Sequence, residues 1–240
     1  MRKIIIGCDL ATAVDATAVV AFECVRNEVA ASKEDALIAQ ARWARTAPAG
    51  VNVRPRPIVA GGLSHIEYSY RCLLLDRWTN ISYTEQCSRL RRLLLAGPLR
   101  EENVTLVIDF TGVGRPVAEM LRSQGLKPIC VTITAGTSVN DNGWTLTVPK
   151  ADLVSVASIL HHNTRVTYSP QLRLGERLVS EFAAFQRSTT ATGRAVYGGK
   201  GEHDDLVLAT ALALWQGERD ARKESRKRSP VQSWSFWTGW

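Results

Sequence analysis

The sequence predicts an α/β protein whose central mixed β-sheet is flanked by helices. Two β-branched runs in residues 2–25, joined by a short polar link, are typical of a hairpin. Residues 103–136 run from an apolar stretch through a glycine turn and a helical pattern to a second apolar stretch. That succession predicts a right-handed parallel crossover. Residues 149–217 carry mostly helical patterns, so helices are expected to cover the sheet.

Length and composition bound the class of protein. The chain has 240 residues, of which 45% are hydrophobic, enough to bury the core of one large domain. The net charge of +7 favours an acidic partner, nucleic acid first among them. The five cysteines are scattered and odd in number, which argues against a disulfide framework. The sequence shows no signal peptide and no apolar span of membrane length, so a cytoplasmic protein without membrane contact is expected.

The first half of the chain is expected to supply three antiparallel strands and a helix. The strands are predicted at 2–11, 16–25 and 65–78, and leucines at helical spacing predict a helix over 83–97. Residues 27–62 are rich in proline and glycine and are interpreted as an insertion or mobile loop. Its arginines fit either a solvated surface excursion or a DNA-binding lobe.

The second half continues with buried strands and helices. The predicted elements are a strand at 103–110, a glycine turn and helix at 111–125, a strand at 127–136, helices at 149–162, 171–186 and 204–217, and a hairpin or glycine-rich loop at 188–202. One apolar stripe is predicted on the 171–186 helix, formed by Leu174, Leu178, Phe182 and Phe185. Residues 1–217 are therefore interpreted as one domain, and 218–240 as a basic and aromatic tail that is loose or docks on a partner.

Acidic residues stand where strands end and where the last helix begins. Asp9 closes the first strand, Asp109 closes a central parallel strand, and Asp204 and Asp205 open the final helix. Ligands in open α/β sheets gather outside the carboxyl ends of strands, so these side chains are expected to converge. Converging carboxylates repel one another unless a hard cation such as Mg²⁺ or Mn²⁺ joins them. Two such ions can clamp a phosphodiester and activate a water for in-line attack.

Each acid also has a purely structural interpretation. Asp9 and Asp109 could cap the turns that follow their strands. Asp204 could be the N-cap of the last helix, with Asp205 favoured by the helix dipole. His203, the neighbouring histidine, could be an ordinary surface residue. The prediction of a metal site therefore rests on the set of acids.

The order of these segments resembles the nuclease domain of phage terminase large subunits, the DNA-packaging motors, whose fold is RNase H-like. The resemblance covers most of residues 3–217 apart from 27–62. It is carried by "GCDLATAVDATAVV" (7–20), "VIDFTGVGRPVAEML" (107–121), "VPKADLV" (148–154), "LVSEFAAF" (178–185) and "GEHDDLVLATALALW" (201–215).

The resemblance implies a metal-dependent endonuclease that cleaves double-stranded DNA with two Mg²⁺ or Mn²⁺ ions. Asp9, Asp109 and Asp205 match its catalytic metal ligands, and Asp204 matches a neighbour that binds or steadies the metal. Asp15 matches an accessory acid of some members, and His203 lies where the family often carries a histidine, which could act near the scissile phosphate.

Basic residues are expected to hold the DNA backbone. Lys150 matches a recurrent lysine of the family that could contact a phosphate, or it is a surface lysine at a helix start. The further candidates, each of which could equally be a solvated charge, are Arg89, Arg91, Arg92, Arg115, Lys200 and the 222–228 cluster.

One departure from the family concerns the motor. The motif G-x-x-x-x-G-K-[ST] of the terminase ATPase does not occur, since "TGVGRPV" lacks the lysine and the spacing. Translocation is therefore expected from an ATPase domain or subunit outside this sequence, with a portal or small terminase subunit as further partners. If the chain is phage-encoded, the host cytoplasm is its expected compartment.

Three rival functions remain open. A Holliday-junction resolvase on the same fold would use similar acids but prefer branched DNA. A DNA-binding packaging module would keep the acids without catalysis. An actin-like ATPase would use "DLATA" and "FTGVG" as phosphate loops, but that fold repeats its core and needs a longer chain.

Overall fold

The computed structural model describes residues 2–11, 15–30, 64–95, 99–100, 102–190 and 204–228. The predicted insertion from residue 31 onward, the predicted loop from residue 191 to 202 and the aromatic end of the tail lie outside the described residues. The strands are β1 (Lys3–Asp9), β2 (Thr17–Ala30), β3 (Ser64–Trp78), β4 (Asn103–Asp109), β5 (Ile129–Thr134), β6 (Asn140–Asp141), β7 (Thr145–Pro149) and β8 (Val166–Tyr168). The helices are α1 (Tyr83–Leu95), α2 (Gly114–Ser123), α3 (Lys150–His162), α4 (Gly175–Thr190) and α5 (Asp205–Arg228).

The strands form one mixed sheet of eight strands in the order β6-β7-β5-β4-β1-β2-β3-β8. β1 is antiparallel to β2 and parallel to β4, and β5 lies parallel to both β4 and β7. The predicted α/β fold with a mixed sheet is therefore confirmed. Three strands were not predicted, because the edge strands β6 and β8 have two and three residues, too few to show a period, and β7 beside β6 has only five.

The two faces of β1 pack against different helices. Ile4, Ile6 and Cys8 belong to a buried cluster that includes residues of α1 and α2. The alternate residues Ile5, Gly7 and Asp9 point to the opposite face, because successive side chains of a strand alternate. Gly7 meets α5 there, since a Cβ on this glycine would lie 2.0 Å from the carbonyl oxygen of Ala209.

Three elements extend beyond their predicted ends. α4 was predicted to end at residue 186 and continues to Thr190, so residues 188–190 of the predicted loop are helix. β2 continues to Ala30, so residues 27–30 of the predicted insertion are strand. α5 was predicted to end at residue 217 and continues to Arg228, because the lysines, arginines and glutamates that follow Gly217 favour a helix. The separation of a domain at 1–217 from a tail remains a prediction.

The contacts divide the chain into two compact units, Met1–Val25 with Ser69–Gly217, and Arg26–Tyr68 with Glu218–Trp240. In the second unit Glu224 accepts hydrogen bonds from Arg26 Nε at 2.8 Å and from the Tyr68 hydroxyl at 2.6 Å. All acids of the candidate site lie in the first unit. No helix in the described part of the chain has the length and apolarity that crossing a membrane requires.

Candidate active site

Asp9 and Asp109 are the last residues of two neighbouring parallel strands. Cys8 of β1 is in register with Ile108 of β4, so the aspartates that follow stand side by side at the carboxyl ends. The Asp109 carboxylate accepts a hydrogen bond from the backbone amide of Thr111 at 2.8 Å. This bond fixes the direction in which Asp109 leaves the sheet.

The glycine turn after β4 is required by a close backbone approach. A Cβ on Gly114, the first residue of α2, would lie 1.8 Å from the carbonyl oxygen of Asp109. Gly112, within the turn, has a φ of +57°, a conformation in which other residues are strained. The segment "TGVG" therefore turns the chain sharply beneath Asp109, which is a structural role rather than a phosphate loop.

α5 brings the other two acids to the same place. Its backbone touches β1 at Gly7, and Asp9 lies on the same face of that strand as Gly7. Asp205 begins the helix one turn before Ala209, the residue that contacts Gly7. The close contact thus carries the start of α5, with Asp204 and Asp205, toward the end of β1.

The charges of the other three acids act on Asp9. Burial raises the pKa of Asp9 well above its usual range, and the charges of Asp109, Asp205 and Asp204 raise it further. Burial also raises the pKa of Asp109, which the hydrogen bonds from Thr111 partly offset. Lys150 opposes both shifts. The catalytic and metal-binding roles predicted for these four acids stay predictions.

Two basic side chains neutralise the acids of α5. Lys150 Nζ lies 2.9 Å from Asp204 Oδ2, and Arg77 Nη2 lies 3.1 Å from Asp205 Oδ2. The side chains of Arg77 and Asp205 are only 15% and 14% exposed, so this pair is largely shielded from water. Arg77 was missed by sequence reasoning because it lies near the end of a long strand, with no motif around it.

Glu181 is a further acid beside the start of α5, and it was also missed. Its Oε2 accepts a hydrogen bond from the backbone amide of Leu206 at 3.0 Å, and its Oε1 accepts one from Arg177 Nε at 2.9 Å. A signal was present, because Glu181 stands at helical spacing between Leu178 and Phe185, both buried. A glutamate on an apolar stripe has to be paired, which marks it as more than a surface residue.

The donor chemistry of the cluster fits a divalent cation, although the acids are not arranged around one. Carboxylate oxygens are the preferred ligands of Mg²⁺ and Mn²⁺. Within the described ranges, however, no three histidine, cysteine or acidic side chains are placed to hold an ion together. Lys150 and Arg77 engage two of the four acids, so a bound cation would have to compete with these two side chains for Asp204 and Asp205.

The remaining predicted site residues are exposed, make other contacts or lie outside the described residues. Asp15 is exposed on the link before β2. Arg89 pairs with Glu85 at 2.8 Å, and the exposed Arg115 lies over the Phe110 ring at 5.3 Å. Other exposed basic side chains are Arg91, Arg92, Arg222, Lys223 and Arg226. His203 and Lys200 lie outside the described residues, and the roles predicted for all of these residues stay predictions.

Comparison with known proteins identifies the fold. No protein-family model matches the chain, and no curated protein matches it. The crystal structure of the large terminase nuclease from thermophilic phage G20c with bound magnesium is similar at 20% sequence identity, with a TM-score of 0.50, covering 90% of this chain and 82% of that one. A second structure of the same nuclease matches at 19% identity and a TM-score of 0.47. The predicted RNase H-like fold is confirmed, and the resemblance to the terminase nuclease holds at the level of the fold.

Proposed function

We propose that the chain is a divalent-metal-dependent endonuclease that hydrolyses double-stranded DNA during viral genome packaging. The observation that carries the proposal is that Asp9 and Asp109 end neighbouring parallel strands and that Asp109, Asp204 and Asp205 all raise the pKa of the buried Asp9. Such an assembly costs folding free energy, because like charges are brought out of water together. A function that needs clustered carboxylates accounts for that cost. The fold shared with a magnesium-binding terminase nuclease agrees with it.

The residues that would hold the metal are Asp9, Asp109 and Asp205, with Asp204 as their neighbour. Bound there, one or two Mg²⁺ or Mn²⁺ ions would supply positive charge to the phosphodiester and lower the pKa of an attacking water. The Thr111 amide keeps Asp109 oriented toward the cluster. Lys150 and Arg77 already contact Asp204 and Asp205 and would therefore be available to an incoming phosphate.

Cleavage of supercoiled plasmid tests this function. We expect the purified chain to nick and linearise plasmid with Mg²⁺ or Mn²⁺ and to be inactive in EDTA. Asp109→Asn should lower the rate by at least about 100-fold, because it removes one charged ligand while keeping the shape of the side chain. The matched control is Asp152→Asn, which removes an exposed aspartate from the first turn of α3 and should leave the rate unchanged.

The same assay separates the rival functions. A folded chain that binds DNA but cuts nothing with either metal would contradict the proposal and favour a non-catalytic packaging module. Much faster cleavage of a four-way junction than of linear duplex would favour a resolvase. For the packaging role we expect cleavage to respond to an added ATPase motor, with the portal and small terminase subunit as further candidate partners.

A further inference from the structure

The first turn of α5 is capped in an unusual way. The amide of Leu208 donates to the carbonyl of Asp204 at 2.9 Å, which makes Asp204 the N-cap residue of the helix. An aspartate at this position ordinarily uses its carboxylate to accept an amide of the first turn. Here the Asp204 carboxylate accepts from Lys150 Nζ instead. The amide of Leu206, a usual partner of such a cap, donates to Glu181 of α4.

Contacts on both carboxylate oxygens hold Glu181 in place. Its side chain is 6% exposed, and Arg177, one turn earlier on α4, neutralises it at 2.9 Å. One carboxylate oxygen thus faces Arg177 and the other faces the α5 amide. A buried carboxylate with both oxygens engaged has little freedom to move, so it fixes the start of α5 relative to α4.

We propose that Glu181 is a positioning residue that caps α5 from a neighbouring helix and so leaves the Asp204 carboxylate directed at Lys150 and the acidic site. Without Glu181, the Asp204 carboxylate stands at the ordinary N-cap position and can accept the Leu206 amide itself. It would then turn back onto its own helix and away from Lys150 and the cation site. The inference rests on the proposed function, since the benefit of an Asp204 carboxylate directed away from its own helix is cation binding beside Asp205.

Calorimetric titration of Mn²⁺ into the metal-free chain, without DNA, tests the inference. Glu181→Ala should weaken Mn²⁺ affinity about 10-fold, the effect typical of residues that orient metal ligands. Glu181→Gln should weaken it less than about 3-fold, because its amide oxygen can still accept the Leu206 hydrogen bond. Glu176→Gln, which changes an exposed glutamate on the same helix, is the matched control and should have no effect.

A double-mutant cycle shows whether the effect passes through Asp204. In an Asp204→Asn background, Glu181→Ala should change Mn²⁺ affinity by less than about 2-fold, because the carboxylate that Glu181 positions is already gone.

Three results would overturn the inference: wild-type Mn²⁺ affinity in Glu181→Ala, an equal loss in Glu181→Gln, or full additivity with Asp204→Asn. The proposed nuclease fails separately, if the wild-type chain binds Mn²⁺ and never cuts DNA. A wild-type chain that binds no Mn²⁺ would overturn both.

Discussion

The two faces of β1 and β4 differ in what they bury: one is apolar, and the other ends in clustered carboxylates. On one face Ile4, Ile6 and Ile108 pack into an apolar cluster with Leu121 of α2. On the other face Gly7 admits the backbone of α5, and the strand then ends in Asp9 among three further carboxylates. The first face gains stability from tight burial of apolar surface. The second gives up some of that stability to hold like charges together, so changes on the two faces should separate stability from function.

Gly7→Ala should have the largest effect, because it affects stability and the site together. The added Cβ would collide with helix backbone at Ala209, which cannot rotate away as a side chain can. We expect a loss of about 4 kcal/mol in the free energy of unfolding, above the usual cost of overpacking, with loss of plasmid cleavage. Urea denaturation measures the loss in unfolding free energy. Gly136→Ala is the control, since its Cβ would meet its nearest neighbour, a Thr134 hydroxyl, at an ordinary 3.5 Å. Wild-type stability in Gly7→Ala would mean that α5 is not seated on β1 as described.

Leu121→Ala should damage only the apolar face. Leu121 is fully buried against β1 and β4, so its truncation leaves a cavity that costs about 3 kcal/mol of unfolding free energy. The metal affinity of the folded protein should stay at the wild-type value, because α5 does not belong to this cluster. A clear loss of Mn²⁺ affinity at a temperature where the variant is folded would contradict the separation of the two faces.

Asp9→Asn should have a smaller effect on stability and the opposite sign. The pKa of Asp9 is raised in the folded chain, so its contribution to stability is fully present below about pH 4, the usual pKa of an unfolded aspartate, and is lost as the pH rises through the folded pKa. In EDTA at neutral pH the variant should be more stable than the wild type, because the neutral asparagine removes the cost of ionising a buried carboxyl among like charges. The gain should shrink as the pH falls toward 4. A less stable variant at neutral pH would show that ionised Asp9 stabilises the fold.

The sequence predicted the strand-end acids because a local signal marked each one. Asp9 and Asp109 each end an apolar run, and Asp204 and Asp205 precede a buried helix, so topology alone places them at one edge of the sheet. The pairing of Lys150 and Arg77 with these acids and the capping of α5 by Glu181 were not predicted, because both depend on contacts between distant segments. Arg77 pairs with Asp205 across 128 positions of the chain, and no sequence pattern near Arg77 predicts that contact.

Glu181 and the short strands show two other limits of sequence reasoning. The stripe on the 171–186 helix was predicted through Leu174, Leu178, Phe182 and Phe185. Leu174 precedes α4, and the buried residues of α4 up to Phe185 are Leu178, Glu181 and Phe185. The buried face of α4 is therefore one residue away from the predicted one, so that Glu181 points inward in place of Phe182. The strands β6 and β8 are too short to carry a periodic pattern, and their pairing with neighbours defines them.

The most direct test of the central claim is a crystal structure of the chain soaked in Mn²⁺, with the anomalous scattering of the metal recorded. The account predicts an anomalous peak at ligand distance from Asp9 and Asp109, at the carboxyl ends of β1 and β4, and the loss of that peak in Asp109→Asn crystals. Mn²⁺ bound only at other surface acids, with none between these two strands, would contradict the assignment of the acidic cluster as a metal-dependent active site.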